Sequence, residues 1–399
     1  ETGCLGDGLV AKNISAVESL RGVAALIVVV DHSINMFAPN IRWTNVDGLL
    51  GAIRKFGAWT PLSLIYSGIP AVWIFFLLSG FVLSIKALNN QDGLEPLING
   101  ASKRYFRLMI PIMCAAIVFC GMSFVGCQIG GSELCSFPTQ RVLIEAIYTA
   151  PFTHQKVINT PLWTISWEIQ GSFIIFATLA VLIVIKNIYC RVIILSIALY
   201  YTYGTNYYLF IVGLIVCYLH VSGAIDGVVN KQSKLKSLAL LSVFAVSLFL
   251  MSYPFPRENV EVSELHRLLP SYGAWYANAS HYTKLGGILF FIAFMFSPLA
   301  KRIVDNGFTR FLGYISFSIY ILHYPLFFVV KNGFNIGSLS LTYFVPFMMM
   351  ITFFLFGVSW IFAKYVDAFS ITFSNRIGRA ISSVFYFRRS SNRAAAQSL

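Results

Sequence analysis

The sequence predicts an all-α fold: a polytopic integral membrane protein of about ten transmembrane helices with both termini cytoplasmic. Three observations predict it. Hydrophobic residues make up 57% of the chain and charged residues only 11%, against roughly 25% charged in soluble domains. Runs of about 20 mostly apolar residues, the length that crosses a ~30 Å hydrocarbon core, recur along nearly the whole chain. Lysine and arginine are unevenly divided between the segments that join those runs.

The spans fall near 21–38, 67–88, 105–126, 169–185, 190–203, 207–221, 237–253, 285–300, 313–330 and 341–363. An even number of spans leaves both termini on one side. Alternate connecting segments with their rims, counted from the N-terminus, hold 20 of the 29 basic residues, and the other set holds 9. The positive-inside rule puts the richer set, and both termini, in the cytoplasm. The formal charge of +13 lies in short patches between apolar runs, so nucleic acid is not expected as a partner and membrane lipids are.

The organisation expected is a cytoplasmic N-terminal segment 1–20, a transmembrane domain 21–366 and a cytoplasmic basic tail 367–399. The chain opens Glu1-Thr2-Gly3-Cys4, read as a processed end with no signal peptide, so that the first span directs insertion itself. Arg388, Arg389 and Arg393 mark a polybasic tail, expected to be disordered against lipid headgroups. No repeat suggests a transporter built from two similar halves.

Seven cysteines without a CxxC pair offer no zinc or iron–sulfur site, and no metal is expected. Cys114, Cys120, Cys190 and Cys217 fall within or beside spans and read as packing residues. Cys127 and Cys135 share the loop after the third span, on the side where oxidation is permitted, and a disulfide there is open.

Ionisable side chains inside a bilayer are costly, so they are the first candidates for function. Arg21 and His32 lie eleven residues apart, which places them on one helical stripe some ~16 Å apart, arginine at the cytoplasmic mouth and histidine near mid-membrane. Arg21 suits a phosphate and His32 a proton, although a snorkelling arginine and a packed histidine would need no such roles. Glu168 stands between Trp163 and Trp167 at the outer start of the fourth span, where a solvated carboxylate among interfacial tryptophans is the ordinary alternative. His323 lies ten residues into the ninth span, with Tyr320 one turn before it, at a depth close to that of His32. Lys103, Arg104 and Arg107 form a dense basic cluster at a cytoplasmic helix start, either a solvated rim or a phosphate site. His154, His220, His266 and His281 show no ligand spacing and are assigned no role.

At these residues the sequence resembles the membrane-bound acyltransferase family 3, in order from Ser19 to about Asp367. The family's Arg-x10-His motif falls on Arg21 and His32, and its FFxLSGF segment on Phe75 to Phe81. Its arginine-rich RRxxRLxxP falls on Lys103 to Pro111, LWTxxxE on Leu162 to Glu168, and ISxxxYxxHxP on Ile315 to Pro325. Trp73 replaces an Asp often found before FFxLSGF, and Asp367-Ala368-Phe369 replaces a Glu-x-Pro, so neither position inherits a role. The stretch Thr164 to Ser172 resembles stand-alone members, without an appended esterase-like domain.

The resemblance implies an O-acyltransferase that moves an acyl group, usually acetyl, from cytoplasmic acyl-CoA to a hydroxyl of a cell-surface carbohydrate or lipid-linked glycan such as a lipopolysaccharide O-antigen. A bacterial inner membrane is the setting it implies, in which the sequon Asn278-Ala279-Ser280 would carry no glycan. No tightly bound cofactor is implied, acetyl-CoA or another acyl-CoA being the donor substrate. Arg21, Lys103, Arg104 and Arg107 would hold its phosphates, and His32 would act as general base or as transient acyl carrier. Glu168 would orient the acceptor or the imidazole, with Trp163, Tyr320 and His323 as further cavity residues. The competing readings are a non-enzymatic transporter or flippase for a glycan or lipid, whose translocation path the same charges would mark, and a structural or assembly partner.

Overall fold

Without water, a chain must satisfy every backbone N–H and C=O internally, and apolar runs do so as helices. The computed structural model describes residues 2–89, 94–130, 132–224 and 234–397, with side chains described for 14–49, 51–89, 94–130, 132–224 and 234–384. Among the described residues the chain is helical, with no strands. In order the main helices are α1 Thr2–Phe37, α2 Gly48–Trp59, α3 Gly68–Asn89, α4 Glu95–Ile129, α5 Trp163–Val184 and α6 Ile188–Thr202. They continue with α7 Tyr207–Val221, α8 Lys234–Met251, α9 Trp275–Phe296, α10 Gly307–Gly333, α11 Leu341–Phe362 and α12 Ala368–Gln397.

Seven helical stretches among the described residues are long and apolar enough to cross a membrane: α3, α4, α5 with its preceding turn, α8, α9, α10, and α11 with the first part of α12. The expected spans at 190–203 and 207–221 are α6 and α7, of 15 residues each, which at 1.5 Å per residue cover only about 22 Å. The first expected span belongs to α1, which starts at Thr2 rather than near residue 21. It stands outside the seven and carries Glu18, Arg21 and Asp31. Where a disordered tail is expected, α12 continues as helix to Gln397. The side chains of Arg388, Arg389 and Arg393 lie outside the described residues.

The chain divides into two compact units. Unit one comprises Glu1–Leu78, Phe119–Pro138 and Ser222–Trp360, and unit two comprises Ser79–Val118, Thr139–Val221 and Ile361–Leu399. In unit one α1 and α10 lie with their backbones touching. A Cβ on Gly22 would fall 2.3 Å from the Gly313 nitrogen, and one on Gly313 would fall 2.6 Å from the Glu18 carbonyl oxygen. Only glycine fits at either place, the small-residue contact by which membrane helices approach closely. The contacts advance together along both helices: Gly22 meets Gly313, His32 meets His323 ten residues further on each, and Phe37 meets Phe327. The two helices therefore run parallel.

Elsewhere in unit one, Gly286 lets α9 close on Ser247 and Met251 of α8. The Trp73 indole N–H donates to the Thr283 hydroxyl at 3.0 Å, so the indole at the family's Asp position finds its partner on α9. Cys127 and Cys135 are joined by a disulfide. The loop after α8 is pinned by His266, which is 1% exposed and stacks on Phe249 with ring centroids 4.6 Å apart. Its Nε2 lies 3.2 Å from the Phe249 carbonyl and its Nδ1 2.8 Å from the Ser263 hydroxyl. A carbonyl only accepts, so Nε2 carries the proton and Nδ1 accepts from Ser263. In unit two the Phe210 ring lies against Gly171, and its backbone against Gly80, joining α7 to α5 and to the second half of α3.

Two outcomes follow. Gly22→Val, which drives a side chain into the α10 backbone, is expected to destabilise the protein by about 2 kcal/mol or more, read as a lowered melting temperature in detergent; an unchanged value would refute the contact. Burial holds the His266 imidazole below its ordinary 6.5, with the Phe249 carbonyl opposing. The unfolded chain then binds more protons than the native one below that value, so stability is full above about pH 6.5 and declines as pH falls. Protection of the amides across 252–269, taken against the intrinsic exchange rate at each pH, should fall between pH 7.5 and 5.5, and His266→Phe should flatten that dependence.

Candidate functional site

In unit one the histidines converge. His32 Nδ1 lies 2.8 Å from His323 Nε2, and His323 Nδ1 lies 2.9 Å from the Ile319 carbonyl oxygen one turn back in α10. His323 is 0% exposed, its ring flanked by Tyr320 and Phe327 and nearly parallel to that of His32. The tautomers follow from the acceptors. The Ile319 carbonyl can only accept, so His323 Nδ1 carries a proton, and in the neutral ring Nε2 is then a bare lone pair. That lone pair takes the N–H of His32 Nδ1. His32 is left with an unprotonated Nε2, which has no hydrogen-bond partner among the described residues, on a half-buried ring. An imidazole in this state can accept a proton or attack a carbonyl carbon.

Arg21 lies on α1 three turns before His32. Its Nε–H donates to Ser316 Oγ at 3.0 Å and its Nη2 donates to the Gly313 carbonyl at 3.3 Å. The cation is thus aimed by α10, the helix that also aims the histidine.

Asp31, beside His32 in sequence, was not singled out by sequence reasoning. It is 5% exposed, accepts from Arg42 Nη2 at 2.7 Å and Arg257 Nη2 at 3.1 Å, and accepts from Asn35 Nδ2 at 3.1 Å. Arg42 also donates to the Tyr66 carbonyl at 2.7 Å and stacks over the Tyr66 ring. Burial draws the Arg42 guanidinium down to about 10, against the pull of Asp31, and it remains a cation at neutral pH. A buried Asp31 is as costly in a bilayer as Arg21 or His32. Its arginines, in connecting loops, carry no sequence signal.

Unit two holds the remaining expected residues. Glu168 accepts from Arg104 and from the Ser79 hydroxyl, the latter at 2.7 Å, while Arg104 Nε–H donates to Ser172 Oγ at 2.7 Å. Arg107 makes a two-point pair with Asp367, at 2.5 and 3.2 Å. Lys103 donates to Asn375 Oδ1 at 3.1 Å. Lys86, Lys103, Arg104 and Arg107 line one cavity of about 180 Å³ together with Asn99 and Phe176. The expected place of Glu168, at the outer membrane surface and turned to the acceptor or the imidazole, changes with this geometry: its carboxylate is bonded to a member of the basic cluster. The reason is helix length. α4 begins at Glu95, so Arg104 sits more than two turns inside the helix, at the depth of Glu168. Trp163 is half-buried at the head of α5, and it is Trp167 that stacks, on His154 with centroids 4.0 Å apart. Of the expected set, Arg21, His32, Tyr320 and His323 belong to unit one, and Lys103, Arg104, Arg107, Trp163 and Glu168 to unit two. Among the described residues no three His, Cys, Asp or Glu side chains converge as metal ligands.

Arg104→Ala strands the Glu168 carboxylate and is expected to cost about 3 kcal/mol, more than the double replacement Arg104→Ala with Glu168→Ala, which removes both charges. Thermal unfolding of the three proteins in detergent decides it: a double variant less stable than the single one would show that the pair is not a buried charge couple. A family model described as an acyltransferase domain matches residues 14–364. No curated protein and no solved structure matches the chain.

Proposed function

Since the chain belongs to the membrane-bound acyltransferase family 3 and is an acyltransferase, we propose that it transfers an acetyl group from cytoplasmic acetyl-CoA to a hydroxyl of a cell-surface carbohydrate or lipid-linked glycan. Family and apolar helices together make it a multi-pass membrane protein, and catalysis takes precedence over the transporter and assembly readings. The setting proposed is a plasma membrane, a bacterial inner membrane in the case of an O-antigen acceptor, with both termini cytoplasmic.

The observation that carries the reading is the free Nε2 of His32, held in that tautomer by His323. In the proposed reaction this nitrogen takes the proton of the acceptor hydroxyl as its oxygen attacks the thioester carbonyl. The C–O bond forms, the C–S bond breaks, and the imidazolium returns the proton to the departing CoA thiolate. His323 is a positioning residue, which fixes the ring and spreads the charge that His32 acquires. For the donor, the unit-two cavity supplies four cations. Carboxylates answer Arg104 and Arg107, while among the described residues none pairs with Lys86 or Lys103, which suits them to phosphate groups. Arg21 is proposed as a further donor contact, and Glu168 as the brace that fixes Arg104.

The test is transfer of radiolabelled acetyl from acetyl-CoA by the purified protein in lipid, at matched folded yield. His32→Ala is expected to lower turnover by about 10²–10⁴-fold, and His323→Ala to lower kcat and shift its pH profile with the donor KM little changed. Lys86→Ala and Lys103→Ala should raise the donor KM with kcat nearly retained. Full turnover by His32→Ala would remove the basis of the mechanism, and no consumption of acetyl-CoA by the folded parent would remove the acetyl donor, with longer acyl donors tried next.

A further inference from the structure

The connecting loops 39–66 and 254–284, which the basic-residue count assigns to the outer side and which hold no readable motif, are laced together in unit one. The Thr44 N–H donates to the Asn259 carbonyl at 2.8 Å, the Glu261 N–H donates to Thr44 Oγ1 at 2.8 Å, and the Trp59 indole donates to the Glu261 carbonyl at 3.1 Å. Asn259 takes a φ of 54°, the left-handed turn that asparagine tolerates better than most residues, and folds the loop back so that Arg257 reaches Asp31.

Under this lacing lies a small cleft, about 50 Å³, room for an anionic group rather than a whole sugar, walled by Arg42, Arg257, Ser63, Tyr66, Tyr253 and Phe255, among others. Two of its polar wall atoms, Ser63 Oγ and Arg42 Nε, have no hydrogen-bond partner among the described residues, in side chains only 4% and 7% exposed. Folded proteins rarely leave buried donors unbonded, and two in one cleft mark a place where something else bonds them. The charge names its sign. Arg42 and Arg257 share the single carboxylate of Asp31, no acidic residue lines the cleft, and Glu258 and Glu261 of the same loop are exposed. One positive charge is therefore left over at the cleft.

We propose that this cleft binds an oxyanion, the carboxylate or phosphate of a sugar acceptor, and so selects acidic over neutral acceptors. The proposal rests on the acyl-transfer reading, and its geometry is apt for it. Asp31 fixes both arginines and is the chain neighbour of His32, so an acceptor anchored there by its charge is held beside the helix that carries the base.

The test is calorimetric binding of methyl glucuronide, glucose 6-phosphate and methyl glucoside to the full chain in detergent, with transfer from acetyl-CoA assayed on the same preparation. At least one charged sugar is expected to bind roughly ten-fold or more tightly than the neutral one, as for charge-assisted hydrogen bonds, and which one identifies the anion. Arg257→Gln should reduce that sugar to the neutral level. Ser63→Ala, which removes no bond among the described residues, should weaken it about three-fold at an unchanged melting temperature, a loss in line with one hydrogen bond. Charged and neutral sugars binding alike, or Ser63→Ala binding the charged sugar as tightly as the parent, as an ordered water in the cleft would give, overturns the proposal. Turnover of acetyl-CoA without charge preference overturns the cleft and leaves the acyltransfer reading standing; charge-selective binding without turnover does the reverse.

Discussion

A charge taken out of water has to be met by another charge or by a set of hydrogen bonds, and the fold is organised around that requirement. Asp31 is met by two arginines, Arg104 by Glu168, and Arg107 by Asp367. Asp31–Arg257, Arg104–Glu168 and Arg107–Asp367 join residues far apart in the chain, so satisfying a charge also ties helices or loops to one another. The histidine pair follows the same rule without ions. His32 and His323 satisfy each other, and the chain of donors ends on a backbone carbonyl that has only one way to bond. The polar groups that look expensive in the sequence are thus also the connectors of the two units, each within its own.

That double role explains what could be read from the sequence. Hydropathy placed the long apolar helices, because a run such as Gly68–Asn89 has few alternatives in lipid, but not the polar end of α12 or the first part of α1, which carry no apolar run. It also placed His32 and His323 at one depth, from position along each helix alone. It could not place Glu168, since the level of Arg104 depends on where α4 begins, and the segment before it, with Glu95 and Pro96, gives no apolar signal. Asp31 was legible on the same grounds as its neighbour, whereas Arg42 and Arg257 were not, because loop arginines are common and their convergence is made by tertiary folding.

The order of rigidity in unit one also follows from contacts. Where Gly22 meets Gly313 there is no side chain to yield, so the spacing of α1 and α10 is set by backbone against backbone. Ten residues on, each helix delivers an imidazole, and a fixed crossing is what keeps a 2.8 Å contact between two short side chains. The loops around Thr44 and Asn259 reach the same level of definition by a different route, through hydrogen bonds of main chain to main chain and to side chain.

The parallel course of α1 and α10 carries an arithmetic consequence. Two membrane helices that run the same way must be separated by an odd number of crossings. Among the described residues the long apolar helices between them, α3, α4, α5, α8 and α9, are five. The two short helices α6 and α7 therefore act as a couple: both traverse the bilayer, or both turn back from it, and a bundle in which only one of them crosses would set the two histidine helices head to tail.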